Sequence, residues 1–400
     1  MRIALRGARL VDATMDHTDG ALIIDGARIA AVGEQANDDG STIRDTDVDV
    51  DARGTIVMPG FIDVHTHGGG GYNLHTTDAG EIQSYAQWAP STGVTAFLIA
   101  VVGVSYMLPE RQLVTATAAI AHAERGAEPC GIHLEGPYIS VKRKGAHPPS
   151  WLRQPDKAET ARILELVQGH LRLVTLAPEL SGAAQMTRQL RQAGVTVSIG
   201  HTDATYEQAQ EAIALGITHV THCCNAMRPL LHREPGPLAA IAQSQQVFGE
   251  MIMDGLHVHP AMIDLLVRVL GPARGIVVTD AQAGTGTRPG AVFEFGGQKT
   301  RVVDGAARLE DGTLAGSALT MDKALRNVLH YTGVSLSDAV RMMTLNPAAS
   351  IHLDNRKALL KAGYDADLLI FDHNLNLQAT ICRGEVAFAT RAWAERLRGA

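Results

Sequence analysis

The stretch TVSIGHTDATYEQAQEAIALGITHVTH, residues 196–222, holds one complete unit of the middle of this chain. A short apolar run over 196–201 ends in a histidine. An amphipathic pattern over 206–215 predicts a helix, and a second short run over 219–222 again ends in a histidine. A strand, a helix and a strand in this order make a βαβ unit, the element of a parallel sheet.

The same alternation extends in both directions. Strand-like runs are expected at 56–67, 95–101, 131–135, 172–177, 249–254 and 276–280, with helices at 153–168, 183–193 and 260–270 among them. With the two runs above, that makes eight strands, the number of a TIM-type (β/α)8 barrel. Several runs end in a histidine or an acid: His65 and His67, Glu135, His201, His222, Asp254 and Asp280. In such a barrel the C-terminal strand ends converge on one face. Residues far apart in sequence are therefore expected to meet there.

The two ends of the chain read differently. Short strands with turn signals between them are expected at 1–6, 21–24 and 28–32, followed by a charged loop over 37–51. Strands are expected again at 367–371, 378–382 and 385–388. Chain termini often lie close together, so the sequence predicts a small β-sandwich domain built from 1–55 and 356–400, enclosing a barrel over 56–355.

Composition narrows the class. Apolar residues make up 46% of the 400 and charged residues 19%, enough for a sizeable core. The formal net charge of −7, with no basic block, argues against nucleic acid as a partner. No apolar run approaches the ~18 residues of a membrane span, and residues 1–14 carry no long apolar signal segment. A cytoplasmic protein is expected. The four cysteines, Cys130, Cys223, Cys224 and Cys382, fit neither a disulfide framework nor a CxxC metal site, and the 223–224 pair is expected to pack.

The chemistry is carried by a few residues. His65 and His67, at i and i+2 on a strand, point to one face and can reach one metal ion. Glu135, in His133-Leu-Glu135-Gly-Pro137, ends the third strand, where a carboxylate can bind one metal or bridge two. His201 and His222 close successive strands and read as a pair of ligands. His219, three positions before His222, is placed on the opposite face and left out. Asp280 follows an unbroken apolar run, where an acid is costly unless a metal or hydrogen bonds compensate it. It is placed to take a proton from water at a metal.

Nearly the whole chain resembles the N-acetylglucosamine-6-phosphate deacetylases of the amidohydrolase superfamily. The matching stretches are PGFIDVHTHG (59–68), HLEGPYIS (133–140), KGAHP (144–148), GHTDA (200–204) and HCCNAMRPLLHREPG (222–236). They continue with MDGLHVHP (253–260), VTDA (278–281), LAGSALTMD (314–322) and NPA (346–348). HxH suits any amidohydrolase, whereas Glu135 in HLEGP followed by NAM, REPG, DGxH and LAGS in this order is far more specific.

The resemblance implies roles position by position. Glu135, His201 and His222 match the ligands of the principal metal; His65 and His67 allow a second ion bridged by Glu135. The ion is expected to be Zn²⁺, with Fe²⁺ or another divalent ion as alternatives. Asp280 matches the catalytic acid/base and His257 the residue that polarises the acetamide carbonyl. Arg233 matches a phosphate contact supplied to the neighbouring subunit's site, which implies a homodimer. Ala146, Asn225, Ala226, Leu314, Ala315 and Gly316 match positions lining the sugar pocket. The chain departs from the family at Cys223-Cys224 and at Gln282, near that pocket.

Other readings compete. A dihydroorotase usually bridges its metals with a modified lysine, where this chain has Glu135; a deaminase is expected to differ after the fourth strand. N-acetylgalactosamine-6-phosphate is not separated from its gluco epimer by sequence. A non-catalytic assembly protein on this barrel is expected to have lost ligands or the acid, and all six stand here.

Overall fold

The computed structural model describes residues 2–33 and 47–398. The charged loop expected over 37–51 lies outside the described residues as far as 46, as does Met1 of the first expected strand.

Eight parallel strands form the barrel: β1 (Phe61–Asp63), β2 (Val94–Val101), β3 (Glu128–Glu135), β4 (Leu171–Leu176), β5 (Thr196–Ile199), β6 (His219–Val220), β7 (Phe248–Ile252) and β8 (Gly275–Val278). They pair in chain order from β1 to β8. The seam between β8 and β1 is closed just beyond the strands, where Asp280 N–H donates to the His65 carbonyl and His67 N–H to the Ala281 carbonyl, both at 2.8 Å. β2, Val-Thr-Ala-Phe-Leu-Ile-Ala-Val, is buried at every position, as a strand covered on both faces must be.

The helices between strands begin where side chains can cap them. Asp156 accepts from Ala158 N–H at 2.8 Å and Glu159 N–H at 3.0 Å at the start of helix Lys157–Val167. Thr205 and Gln208 form a reciprocal capping box on helix Tyr206–Ala214. Each capped end satisfies amide donors that the helix itself leaves free.

The single strand expected over 56–67 is two. Thr55–Pro59 pairs antiparallel with Leu368–Asp372 and parallel with Arg2–Val11, so it belongs to the sheet of the chain termini. Gly60 separates it from β1; a Cβ there would lie 1.9 Å from Thr95 Oγ1. The Pro59-Gly60 pair inside the run is the local signal of that break. The terminal strands make one continuous mixed sheet of eight strands, whose apolar face gathers Ile3, Leu5, Leu22, Val57, Leu368 and Trp393.

A further antiparallel sheet, with strands Val292–Phe295, Gln298–Val303, Ala306–Arg308 and Leu314–Ser317, follows β8. Only 314–316 had drawn attention in the sequence. The turn pairs Gly296-Gly297, Asp304-Gly305 and Asp311-Gly312 between short runs were the available signal.

Candidate active site

The polar side chains at the barrel mouth leave their strands at a common point. His65, His201, His222, Asp254 and Asp280 each stand two residues past the last residue of β1, β5, β6, β7 and β8, while Glu135 is itself the last residue of β3. His201, His222 and Asp280 have φ of 47°, 28° and 48°. Non-glycine residues rarely enter this left-handed region, and the surrounding structure must hold them there. The turn lifts each side chain from the barrel wall toward the axis.

There the side chains converge on Glu135. Its Oε1 lies 3.1 Å from His201 Nε2, 3.2 Å from His222 Nε2 and 3.4 Å from His65 Nε2. Its Oε2 lies 3.2 Å from His67 Nε2. Asp280 Oδ1 is 3.2 Å from His67 Nε2 and 3.7 Å from His65 Nε2. The Nε2 atoms of His201 and His222 are only 3.0 Å apart.

These spacings fit a metal. Ligand atoms ~2.0–2.1 Å from a tetrahedral ion are separated by about 3.3 Å, close to the separations around Glu135. His65 Nε2 is buried without a hydrogen-bond partner, although its Nδ1 meets Glu250 Oε2 at 2.8 Å. Two imidazole nitrogens facing each other, and carboxylate oxygens facing ring nitrogens, call for positive charge between them. The side chains of His65, His67 and Asp280 form one group able to hold an ion, and those of Glu135, His147 and His201 form another. Burial disfavours charge on His65, yet Glu250, Glu135 and Asp280 outweigh it and push its pKa well above the usual value. The same balance raises His67, through Asp280 and Glu135.

His147 joins the cluster and was not singled out in the sequence. Its Nε2 is 3.7 Å from Glu135 Oε2, and its ring meets that of His201 edge-on at 4.8 Å. It comes from a loop rather than a strand end, so the pattern that marked the others did not mark it. His222 approaches Glu135 more closely than His147 does and is the better ligand on distance. His133, which shares its strand face with Glu135, lies deeper and bonds Thr175 Oγ1 at 2.8 Å. His219 is fully buried inside the barrel with Nε2 on Glu250 Oε1 at 2.9 Å. Strand alternation could not be extended from His219 to His222, because β6 ends at Val220.

Asp254 supports His257: His257 Nδ1 lies 2.6 Å from Asp254 Oδ2, and its backbone N–H donates to Oδ1 at 2.9 Å. Burial opposes the imidazolium, but Asp254 outweighs it and the pKa is raised. Nε2 remains for a ligand. The ring lines a cavity of about 380 Å³ together with Glu135, His67, His201, His222 and Asp280. Ala146, Asn225, Ala226, Leu314, Ala315 and Gly316 also face this cavity. Gly316 has φ +99°, and a Cβ there would stand 2.8 Å from the Asp280 carbonyl. Arg233 is exposed, off the lining of its own chain's cavity, with NH1 2.6 Å from His232 Nε2. Cys223 and Cys224 are free thiols; Cys223 is buried in the core and Cys224 packs against it.

A barrel whose strand ends present four histidines around a carboxylate, with an aspartate beside them, defines a metal-dependent hydrolase of the amidohydrolase kind. The chain belongs to the amidohydrolase family, whose model matches residues 56–387. Its relatives there are deacetylases. It is 35% identical over 340 residues to the N-acetylglucosamine-6-phosphate deacetylase of Bacillus subtilis (strain 168), covering 84% of this chain and 86% of that protein. It is 34% identical to the N-acetylgalactosamine-6-phosphate deacetylase of Escherichia coli O157:H7, covering 83% and 88%. A mutant N-acetyl-D-glucosamine-6-phosphate deacetylase of Mycobacterium smegmatis, solved in complex with N-acetyl-D-glucosamine-6-phosphate, superposes with a TM-score of 0.90 at 36% identity, over 97% of this chain and 100% of that one.

Proposed function

We propose that this chain hydrolyses the N-acetyl group of N-acetylglucosamine-6-phosphate to glucosamine-6-phosphate and acetate. The observation that carries the reading is the Glu135 carboxylate, with His201 and His222 on one oxygen, His67 on the other and Asp280 3.2 Å from His67. Glu135, His201 and His222 would hold one divalent ion, and His65, His67 and Asp280 a second, with Glu135 between them. Zn²⁺ is our choice, since imidazole and carboxylate suit it; Fe²⁺ suits the same donors. An ion held there supplies Lewis acidity, which polarises an amide carbonyl and brings water within reach of deprotonation near pH 7.

The protein's own groups do the rest. Asp280 takes a proton from the water that attacks the acetyl carbon and passes it to the amine nitrogen as the C–N bond breaks. His257, held by Asp254, donates toward the carbonyl oxygen as it gains negative charge, where a fixed donor contributes most. The backbone of Leu314–Ser317 and the loop carrying Asn225 and Ala226 would hold the sugar ring. Lys142 and Arg143 on the cavity rim share Asp203 with Arg228. Arg228 also meets Glu234 at 3.6 Å, and three cations against two carboxylates still leave positive charge for a phosphate. Arg233, exposed here, would reach the partner's site in a homodimer. We place the protein in the cytoplasm, where charged sugar phosphates are retained; no helix among the described residues is long and apolar enough to cross a membrane.

Acetate release from N-acetylglucosamine-6-phosphate tests the reading, with the unphosphorylated sugar and the galacto epimer alongside, before and after chelation and metal restoration. Chelator-sensitive release favouring the phosphorylated gluco sugar is expected. The Escherichia coli relative supports the galacto epimer as the second reading, and preference for it would move the pocket assignment to Cys223, Cys224 and Gln282. No release by metal-loaded protein would overturn both.

A further inference from the structure

Glu250 lies on β7 between Gly249 and Met251 and is fully buried in the barrel interior. No lysine or arginine bonds it among the described residues; its partners are three N–H groups, one from His65 beyond β1, across β8, and two from His219 and His222 in and just beyond the adjacent β6. Oε2 receives His65 Nδ1 at 2.8 Å and the His222 backbone N–H at 3.1 Å. Oε1 receives His219 Nε2 at 2.9 Å. A buried carboxylate this far from solvent is costly, and it persists only where donors compensate it.

We propose that Glu250 is a positioning residue that makes His65 a metal ligand, an inference that rests on the metal-site reading above. Because Oε2 accepts from Nδ1, the proton of the neutral His65 ring sits on Nδ1 and the lone pair on Nε2. Nε2 faces Glu135 Oε1 at 3.4 Å and Asp280 Oδ1 at 3.7 Å. Both are acceptors, so Nε2 shares a cation with them: a proton in metal-free protein, whose place a metal ion would take. Glu250 thus sets the tautomer that a metal requires. Its second bond on the same oxygen pins the backbone of His222 where φ is 28°. His219 holds the other oxygen and stops the carboxylate from turning. One acid, touching no substrate and no ion, therefore orients a ligand at each end of the site.

Metal stoichiometry and chelator competition on purified protein test this. Glu250→Gln keeps the shape but offers an amide in place of the second acceptor. It is expected to weaken the ion at His65, His67 and Asp280 about 10–100-fold, and the ion at Glu135, His201 and His222, which loses only a backbone contact behind His222, clearly less. The metal-free variant should melt close to metal-free wild type, and Glu250→Asp, which restores a carboxylate, should recover part of the affinity. If Glu250→Gln does not fold, Glu250→Asp carries the test with a smaller loss at the same ion. Wild-type affinity for both ions in these variants would overturn the proposal, as would parallel loss of both ions with a lower melting point of the metal-free protein. A wild-type protein holding a single ion that His65→Ala leaves untouched would remove the two-ion reading itself, and wild-type stoichiometry reports this before any variant is made.

Discussion

The Asp280 backbone N–H donates to the His65 carbonyl at 2.8 Å, so the acid and the histidine that face each other across the site are also joined through the main chain. This bond closes the barrel between β8 and β1. The distance between their side chains is therefore set by the same ladder that completes the fold, and neither group waits on a mobile loop. Ser317 N–H donates to the Asp280 carbonyl at 2.7 Å and fixes the following peptide, so Asp280 is held on both sides. Such preorganisation is what places a proton acceptor within reach of a reacting atom.

Asp280→Asn is expected to lower kcat by about 10²–10⁴-fold, the usual contribution of a positioned proton shuttle. The amide keeps the side chain's size, and the ion at Glu135, His201 and His222 should remain by metal analysis. Full turnover by a metal-loaded Asp280→Asn protein would remove Asp280 from the proton path.

His257→Gln should lower kcat by about 10²–10³-fold, the range for losing one donor to a developing oxyanion. Asp254→Asn should show a smaller fall, because His257 stays but loses the carboxylate that raises its pKa. In Asp254→Asn the alkaline limb of the kcat–pH profile should move to lower pH. Steady-state profiles of both variants check this; an unchanged profile in Asp254→Asn would mean that His257 does not act as an imidazolium.

Arg233→Ala should raise KM for the phosphorylated sugar more than it lowers kcat, and leave the unphosphorylated sugar nearly unaffected. A charged hydrogen bond to phosphate contributes roughly 1.5–3 kcal/mol. Mixing Arg233→Ala with Asp280→Asn subunits should restore wild-type KM in a fraction of sites, because one hybrid site then has both groups intact. Equal effects on both sugars would break the phosphate assignment, and no restoration in hybrids would break the exchange between subunits.

At the opposite end of β3, Lys357 is buried among Glu128, Asp365 and Asp367, at 2.7 Å from Glu128 Oε2 and 2.9 Å from Asp365 Oδ2. Burial alone would raise the Glu128 carboxyl, but Lys357 and Arg356 outweigh it and hold its pKa at about 2, below its ordinary 4.5. A depressed folded-state pKa stabilises the protein above the unfolded value, and the effect fades as pH falls from about 4.5 toward 2. We expect Glu128→Gln to cost on the order of 3 kcal/mol near pH 7, a difference that shrinks below pH 4.5. Denaturant melts at several pH values measure it; a gap independent of pH would mean that Glu128 acts through packing.

Much of the site was legible because a barrel turns sequence position into geometry. An apolar run followed by a histidine or acid marks a strand end, and eight strand ends share one face. His65, His67, Glu135, His201, His222 and Asp280 could be gathered on that rule. His147 escaped it, since it arrives on a loop that only folding brings against Glu135. Glu250 escaped it as well, because an acid inside a strand gives no hint of which neighbours will hold it. The break at Pro59-Gly60 and the turn pairs of the four-stranded sheet after β8 were written in the chain, but a turn signal does not say which sheet the strands on either side of it join.

The sequence by itself thus determined the period of the elements, the kind of fold and most of the histidines and acids that gather at the barrel mouth, since these depend on local patterning and residue chemistry. Only the tertiary structure decided which nitrogen of His65 faces the site, the left-handed turns that aim His201, His222 and Asp280, and the closure of the barrel through Asp280 and His65. Those features depend on hydrogen bonds between segments far apart in the chain, and no local pattern records which donor will meet which acceptor.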